Sequence, residues 1–142
     1  MSRQMTADEA RQFLAEGTRT AKLSTVCADG RPHVAPVWFA LDDDDLLFTT
    51  NERTVKGRNL RRDPRVCLCV DDERPPFAFV IVQGTVALSE EPAELLRWAT
   101  IIGGRYMGAD QADAYGKRNG VPGELLARVT PAKIITEADV AG

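Results

Sequence analysis

Apolar and polar residues alternate along much of the chain, which is the pattern of strands that bury one face. Residues 19–27 place Ala21, Leu23 and Thr25 on one side of a strand. Residues 33–41 form a return strand after the turn signal Asp29-Gly30. Further apolar runs predict strands over 46–50, 66–71, 77–89 and 125–135. The pattern therefore predicts five or six antiparallel strands.

Helical signals separate these strands. Thr6 with Glu9 forms a capping-box pattern at the start of the first helix. Other helices are predicted over 54–62, from Pro92 onward and over 110–117. Antiparallel strands with helices between them predict a Greek-key-like barrel of the α+β class. We find no linker, so residues 1–142 are expected to form a single domain.

Two residues should interrupt the strand ladder. Pro36 cannot donate a backbone hydrogen bond, so its strand must be unpaired on one side, bulged or facing a ligand. Gly84 lies inside the long strand over 77–89 and predicts a bulge or a bend. The strand that contains Pro36 is therefore a candidate wall of a binding site.

The densest group of hydroxyl and basic side chains lies between Thr49 and Arg65. Hydroxyls come first, Lys56 follows at the start of the predicted helix, and Asn59 comes three residues later. The unpaired N–H groups and the positive dipole end of a helix N-terminus favour an anion. We interpret this stretch as the phosphate clamp of a bound cofactor. The alternative is that Lys56 is a solvated charge on the helix surface.

Composition narrows the classes of function. The 142 residues carry a net charge of −3, which argues against a dedicated nucleic-acid-binding protein. The sequence has no apolar run of transmembrane length and no signal peptide, so we expect a cytoplasmic protein without membrane insertion. Three cysteines and the single His33 are too few for a disulfide scaffold or a zinc site, so no metal is expected.

No catalytic dyad or triad is visible in the sequence. No spacing supports a Ser-His-Asp or Cys-His arrangement, and glycine-rich phosphate loops are absent. We therefore assign no catalytic residue. A bound cofactor that carries the chemistry would explain this absence.

Three segments in this order and spacing resemble a known family. They are Asp29-Gly30-Arg31-Pro32-His33, Pro36-Val37-Trp38-Phe39 and the segment from Thr54 to Arg65. The chain resembles the pyridoxamine 5′-phosphate oxidase-like superfamily of FMN-binding split β-barrels, and within it the branch that uses the deazaflavin coenzyme F420. The resemblance implies an α+β, mainly β fold. It would be a six-stranded antiparallel split β-barrel with Greek-key order and short flanking helices.

The resemblance also implies a set of cofactor contacts. Lys56 would pair with the cofactor phosphate, assisted by nearby hydroxyl and amide groups, and strand residues would line the ring and the ribityl chain. The implied set is His33, Pro36, Val37, Thr49, Thr50, Thr54, Val55, Lys56, Asn59, Phe77 and Phe79. Because the family places its site at a homodimer interface, Phe77 and Phe79 would reach the groove from the partner subunit. The position of Thr54 is an arginine in some relatives.

The implied function is an oxidoreductase that uses reduced coenzyme F420 to transfer a hydride to an unidentified small organic acceptor. Two alternatives stay open. One is an FMN-dependent oxidoreductase with the same fold and clamp, and the other is a protein that binds the cofactor without catalysis. The substrate-binding residues of the classical oxidase have no clear counterpart here, which argues against vitamin B6 oxidation.

Overall fold

Seven antiparallel strands and four α-helices make up the computed structural model, which describes residues 1–142. The strands are β1 (Ala21–Val26), β2 (Pro32–Val37), β3 (Ala40–Asp42), β4 (Asp45–Asn51), β5 (Arg65–Asp72), β6 (Ala78–Ser89) and β7 (Glu124–Glu137). The helices are α1 (Ala7–Ala15), α2 (Val55–Arg62), α3 (Pro92–Met107) and α4 (Ala112–Asn119), with a 3-10 turn over Ala109–Gln111. The strand order is β2-β1-β5-β6-β7-β4-β3, which confirms the α+β, mainly β class. None of the helices has both the length and the apolar character that crossing a bilayer requires.

The predicted count of six strands is wrong, because residues 33–41 form two strands rather than one. β2 pairs with β1 and β3 pairs with β4, at opposite edges of the sheet. In the segment between β2 and β3, the Phe39 N–H donates to Tyr106 Oη (3.3 Å) and the Phe39 carbonyl accepts from Arg105 Nη1 (2.6 Å). The backbone at Phe39 therefore bonds to α3 instead of to a neighbouring strand, and the chain crosses from one sheet edge to the other.

The strand of Pro36 is unpaired on one side, and Gly84 lies at a bulge, as predicted. Pro36 lies in the edge strand β2, opposite Lys22, so its backbone needs a ladder partner on one side only. The β6–β7 register shifts between Gln83 and Gly84. A Cβ on residue 84 would collide with the backbone oxygen of Thr130, so this bulge requires glycine.

The main hydrophobic core lies on the inner face of the sheet. It contains Leu23, Phe48, Leu68, Val70, Val80, Val82 and Val129, all fully buried, together with Phe13 and Leu14 of α1. Each side chain of this kind contributes about 1.5–3 kcal/mol when it is buried. A second cluster joins Leu47 and Leu126 to Trp98 and Ile102. This second cluster holds α3 against β4 and β7, beside the end of β2.

The N-terminal end of α1 has the capping box that its sequence predicts. Thr6 Oγ1 accepts a hydrogen bond from the Glu9 N–H (3.1 Å), and Glu9 Oε1 accepts one from the Thr6 N–H (3.0 Å). Arg3 also donates to Glu9, with Nη2 at 2.9 Å from Oε2. The positive end of this helix is therefore occupied by a carboxylate of its own chain.

The C-terminal end of α1 is capped by two arginines from elsewhere in the chain. Arg19 Nη1 donates to the Phe13 carbonyl (3.0 Å) and Arg105 Nη2 donates to the Leu14 carbonyl (2.7 Å). Arg105 also donates to the carbonyl of Gly17 (3.0 Å). These cations donate hydrogen bonds to carbonyls that a helix end leaves unpaired. Their positive charge also interacts favourably with the negative end of the helix dipole.

Candidate functional site

A surface cleft of about 380 Å³ lies between β2, β4, the start of α2 and α3. Six of the predicted cofactor contacts line it: Pro36, Val37, Thr49, Thr50, Thr54 and Lys56. Trp38, Asn51, Ala99, Ile102, Asn119 and Glu124 complete the lining. The fold therefore brings the strand with Pro36 and the basic helix start to one cleft, although they are separate in the sequence.

The position of α2 on the end of β4 depends on Gly57. A Cβ on residue 57 would collide with the backbone oxygen of Asn51 and would lie 3.1 Å from Thr54 Oγ1. Only glycine therefore allows the first turn of α2 to pack this closely against β4. The close packing places the N-terminus of α2, with Lys56, at the cleft.

The hydroxyl groups of Thr50 and Thr54 hold this helix start in place. Thr54 Oγ1 accepts from the Gly57 N–H (3.1 Å) and donates to the Asn51 carbonyl (2.8 Å). Thr50 Oγ1 lies 3.1 Å from Thr54 Oγ1 and is the donor of that pair, because the single hydroxyl proton of Thr54 is already used. Both hydroxyl protons therefore have acceptors within the chain.

Lys56 differs from Arg61 and Arg65, which follow it in the same stretch. Arg65 pairs with Asp63 (2.7 Å) and Arg61 pairs with Glu52 (3.3 Å). The half-buried Lys56 lines the cleft, and its ammonium has no hydrogen-bond or ion-pair partner. The first N–H groups of a helix also lack intrahelical partners, and Thr54 satisfies only that of Gly57. The helix start therefore offers an anion one ammonium and the backbone N–H groups of residues 55 and 56.

One carboxylate shares the cleft with Lys56. Glu124 begins β7 and lies opposite Asn51 in the β4–β7 ladder. Its Oε2 atom is buried and has no hydrogen-bond partner. Burial raises the pKa of the Glu124 carboxyl, and the Lys56 ammonium opposes this rise. No local motif marks Glu124 as a site residue, because only the pairing of two distant strands brings it there.

Two of the predicted contacts, Asn59 of α2 and His33 of β2, do not line the cleft. The buried Asn59 amide donates to Thr25 Oγ1 (3.0 Å), and its Oδ1 accepts from Arg62 Nη2 (3.0 Å). His33 lies opposite Thr25 in the β1–β2 ladder, and its Nδ1 is buried without a partner. In this structure Asn59 ties α2 to β1.

The remaining three predicted contacts are also outside the cleft. The side chain of Val55 is exposed at the start of α2. Phe77 is exposed immediately before β6, and Phe79 lies in β6 opposite Asp71 of β5. A contact from these phenylalanines to the groove of a partner subunit stays a prediction.

Trp38, which lines the cleft, packs against one tyrosine of α3 and one of α4. The Trp38 ring stacks on the Tyr106 ring, with centroids 5.0 Å apart and planes 3° apart. The Tyr115 ring lies 5.9 Å from Trp38 and is tilted by 51°. Tyr106 Oη donates to the Arg19 carbonyl (2.7 Å), and burial raises the pKa of its phenol. Trp38 therefore packs against the tyrosines of α3 and α4.

Comparison with solved structures finds the same fold elsewhere. The protein Rv2991 of Mycobacterium tuberculosis is similar with a TM-score of 0.84 and 27% identity, over 95% of this chain and 86% of that one. An F420 reductase is similar with a TM-score of 0.66 and 30% identity, over 87% of this chain and 94% of that one. These likenesses identify the sheet as a split β-barrel.

Comparison of sequences gives the family. A pyridoxine/pyridoxamine 5′-phosphate oxidase of Acidothermus cellulolyticus is 40% identical over 87 residues, which are 59% of this chain and 37% of that protein. The match therefore spans little more than a third of the length of that relative. The family model described as pyridoxamine 5′-phosphate oxidase matches residues 6–137. The chain thus belongs to the pyridoxamine 5′-phosphate oxidase family and has the split-barrel fold.

Proposed function

We propose that this protein is an oxidoreductase that binds reduced coenzyme F420 and uses it for hydride transfer to a small organic acceptor. The bound cofactor supplies the hydride, and the chain supplies binding and orientation. The observation that carries the proposal is the unpaired Lys56 ammonium at the start of α2, in a cleft lined by β2 and β4. The 30% identity with an F420 reductase supports the deazaflavin as the cofactor.

The donors at the cleft fit a phosphate group. The Lys56 ammonium and the N–H groups of residues 55 and 56 would hold it, and the Thr49 hydroxyl is a further donor with no partner within the chain. The volume of about 380 Å³ is near the lower end of the range of about 300–1,000 Å³ for ligand pockets. The cleft therefore suits a phosphate and its polyol chain, and the ring system would extend beyond it.

The outer face of the sheet is a candidate surface for a second copy of the chain. On this face one residue from each of five neighbouring strands lies opposite the next across the sheet. In the order β2, β1, β5, β6 and β7 they are Pro36, Lys22, Cys69, Ile81 and Ile135. Their side chains alternate with those of the main core, and Val34 beside them is 65% exposed. Pro36 lines the cleft as well, so a partner on this face would border the cleft. We propose a homodimer with the outer face as its interface, and Phe79 belongs to the same face.

A fluorescence-detected titration of the cofactor-free protein with coenzyme F420 and, in parallel, with FMN tests the proposed cofactor. We expect F420 to bind at least about tenfold more tightly, a difference of about 1.4 kcal/mol. Tighter binding of FMN would favour the FMN-dependent alternative, and no binding of either would contradict the clamp. Binding of F420 without oxidation of its reduced form across a panel of acceptors would favour the non-catalytic alternative.

Light scattering during size-exclusion chromatography tests the dimer. The wild-type protein should elute as a dimer, and Ile81→Lys should convert it to a monomer because a charge at this packed interface is left unpaired. Ile101→Lys on α3, a position that is 41% exposed and outside the outer face, is the control and should stay dimeric. A wild-type monomer, or a dimer that Ile81→Lys leaves intact, would contradict the proposed interface.

A further inference from the structure

The cleft holds one positive and one negative side chain. Among its lining residues only Lys56 and Glu124 carry charge; β2 contributes Pro36, Val37 and Trp38, while α3 and α4 contribute Ala99, Ile102 and Asn119. When both groups are ionised, the side chains of the cleft therefore have no net charge. A site for a doubly charged anion would need a surplus of cations instead.

The number of charges on a phosphate depends on its esterification. A terminal phosphate carries about −1.5 to −2 at pH 7, because its second pKa is about 6, whereas a phosphodiester carries a single charge. A carboxylate in the same partly buried cleft repels the second charge more strongly than it would in water. The pair of Lys56 and Glu124 therefore matches a diester better than a monoester.

The buried Oε2 atom of Glu124 also lacks a donor within the chain. A buried acceptor without a hydrogen bond is costly, so a donor from a ligand at this position would be favourable. The hydroxyls of a polyol chain next to a phosphate are donors of this kind. One ligand could then reach Lys56 with its phosphate and Glu124 with a hydroxyl.

We infer that Glu124 is a specificity residue of the cofactor cleft. Its carboxylate accepts a hydrogen bond from the polyol chain and disfavours a terminal phosphate beside Lys56. The cleft thereby selects a cofactor whose phosphate is a singly charged diester, as in coenzyme F420, over one that ends in a phosphomonoester, as in FMN. The inference rests on the proposed function, because it requires the cofactor phosphate to lie at the start of α2.

This role makes the binding of FMN depend on the ionisation of Glu124. Because Lys56 is the only other charged group that lines the cleft, protonation of Glu124 leaves a single positive charge there. The affinity for FMN should therefore fall as pH rises and Glu124 loses its proton. The affinity for F420, whose diester does not titrate in this range, should change less.

Titration of three proteins with F420 and with FMN, each between pH 5 and pH 8, tests the inference. The proteins are the wild type, Glu124→Gln and the control Glu73→Gln. The glutamine at residue 124 keeps an acceptor oxygen and removes the charge. Glu73 is exposed in the loop before β6 and makes no ion pair, so the control removes the same charge away from the cleft.

At pH 8 we expect Glu124→Gln to tighten FMN binding about tenfold and to change F420 binding less than about threefold. The difference between the FMN pH profiles of the wild type and Glu124→Gln should disappear at low pH, and Glu73→Gln should behave as the wild type. Equal changes for both cofactors, or no change for either, would overturn the role of Glu124 and leave the clamp standing. If the wild type binds neither cofactor, the proposed function and this inference both fail.

Discussion

The helices α1 and α2 both begin with a threonine cap, but they use the rest of their first turn differently. In α1 the first turn contains Asp8 and Glu9, and Glu9 closes the capping box. In α2 Thr54 caps the Gly57 N–H, but the first turn contains no acidic residue. The positive end of α1 is therefore neutralised by its own sequence, whereas that of α2 stays available to an external anion.

The same contrast holds for the cations near the two helices. Arg19 and Arg105 donate to carbonyls at the end of α1, so their charges serve the fold. Lys56 of α2 has no such partner and lines a cleft. A polar group that is satisfied within the chain stabilises the structure, and one that is left unsatisfied at a cleft is a candidate for binding. Under the proposed function, this difference separates structural residues from cofactor-binding residues, and the following variants test it.

The largest expected effect on stability is that of Arg105→Ala. The guanidinium donates to the carbonyls of Leu14, Gly17 and Phe39, and its removal leaves all three without this partner. We expect the free energy of unfolding to fall by about 3 kcal/mol, since hydrogen bonds from charged groups contribute about 1.5–3 kcal/mol each and are not additive. Urea denaturation measures this change.

The control for this variant is Arg97→Ala on the same helix. Arg97 is exposed and makes a single cation–π contact, with its Cζ atom 5.1 Å from the Trp98 ring centroid. Its loss should cost less than about 1 kcal/mol. Equal losses in the two variants would mean that the three carbonyl contacts of Arg105 contribute little to the fold.

Removing the two caps should separate binding from stability. Thr6→Val and Thr54→Val each delete one capping hydroxyl and keep the shape of the side chain, so each should lower the free energy of unfolding by about 1 kcal/mol. Only Thr54→Val should also weaken F420 binding, because Thr54 holds the helix start that carries Lys56. Denaturation and titration of both variants check this. The contrast would fail if Thr6→Val weakened binding equally.

The smallest expected effect is a dependence of the free energy of unfolding on acidic pH. It arises from Glu9 in α1 and has no counterpart in α2, whose first turn contains no acidic residue. Hydrogen bonds from the Arg3 guanidinium and from the Thr6 N–H together lower the pKa of Glu9 from 4.5 to about 2. A lowered pKa in the folded state contributes stability above about pH 4.5, and that contribution is lost as pH falls toward 2. Glu9→Gln should therefore lose less stability than the wild type between pH 5 and pH 3 in urea denaturation. Identical pH profiles would mean that the Arg3–Glu9 contact does not contribute.

Local signals in the sequence predicted the features that depend on neighbouring residues. The capping box of Thr6, the edge position of Pro36 and the bulge at Gly84 all follow from local chemistry. The break at Phe39 does not, because hydrogen bonds from Tyr106 and Arg105 produce it from far along the chain.

In the candidate site too, features set by neighbouring residues could be predicted from the sequence, whereas features set by distant residues could not. The helix start with Lys56 was visible as a cluster of residue types, because its members are close in sequence. Glu124 was not visible, since only the β4–β7 pairing brings it opposite Asn51. The buried bond from Asn59 to Thr25 likewise depends on the packing of α2 on β1, which residue types alone do not specify.

The central claim is that Lys56 serves binding rather than folding, and one variant tests it directly. For Lys56→Ala, both the affinity for coenzyme F420 and the free energy of unfolding should be measured. We predict that the affinity falls about 100-fold, or about 2.7 kcal/mol, while the free energy of unfolding changes by less than about 0.5 kcal/mol. An unchanged affinity, or a loss that appears in stability instead, would contradict the claim.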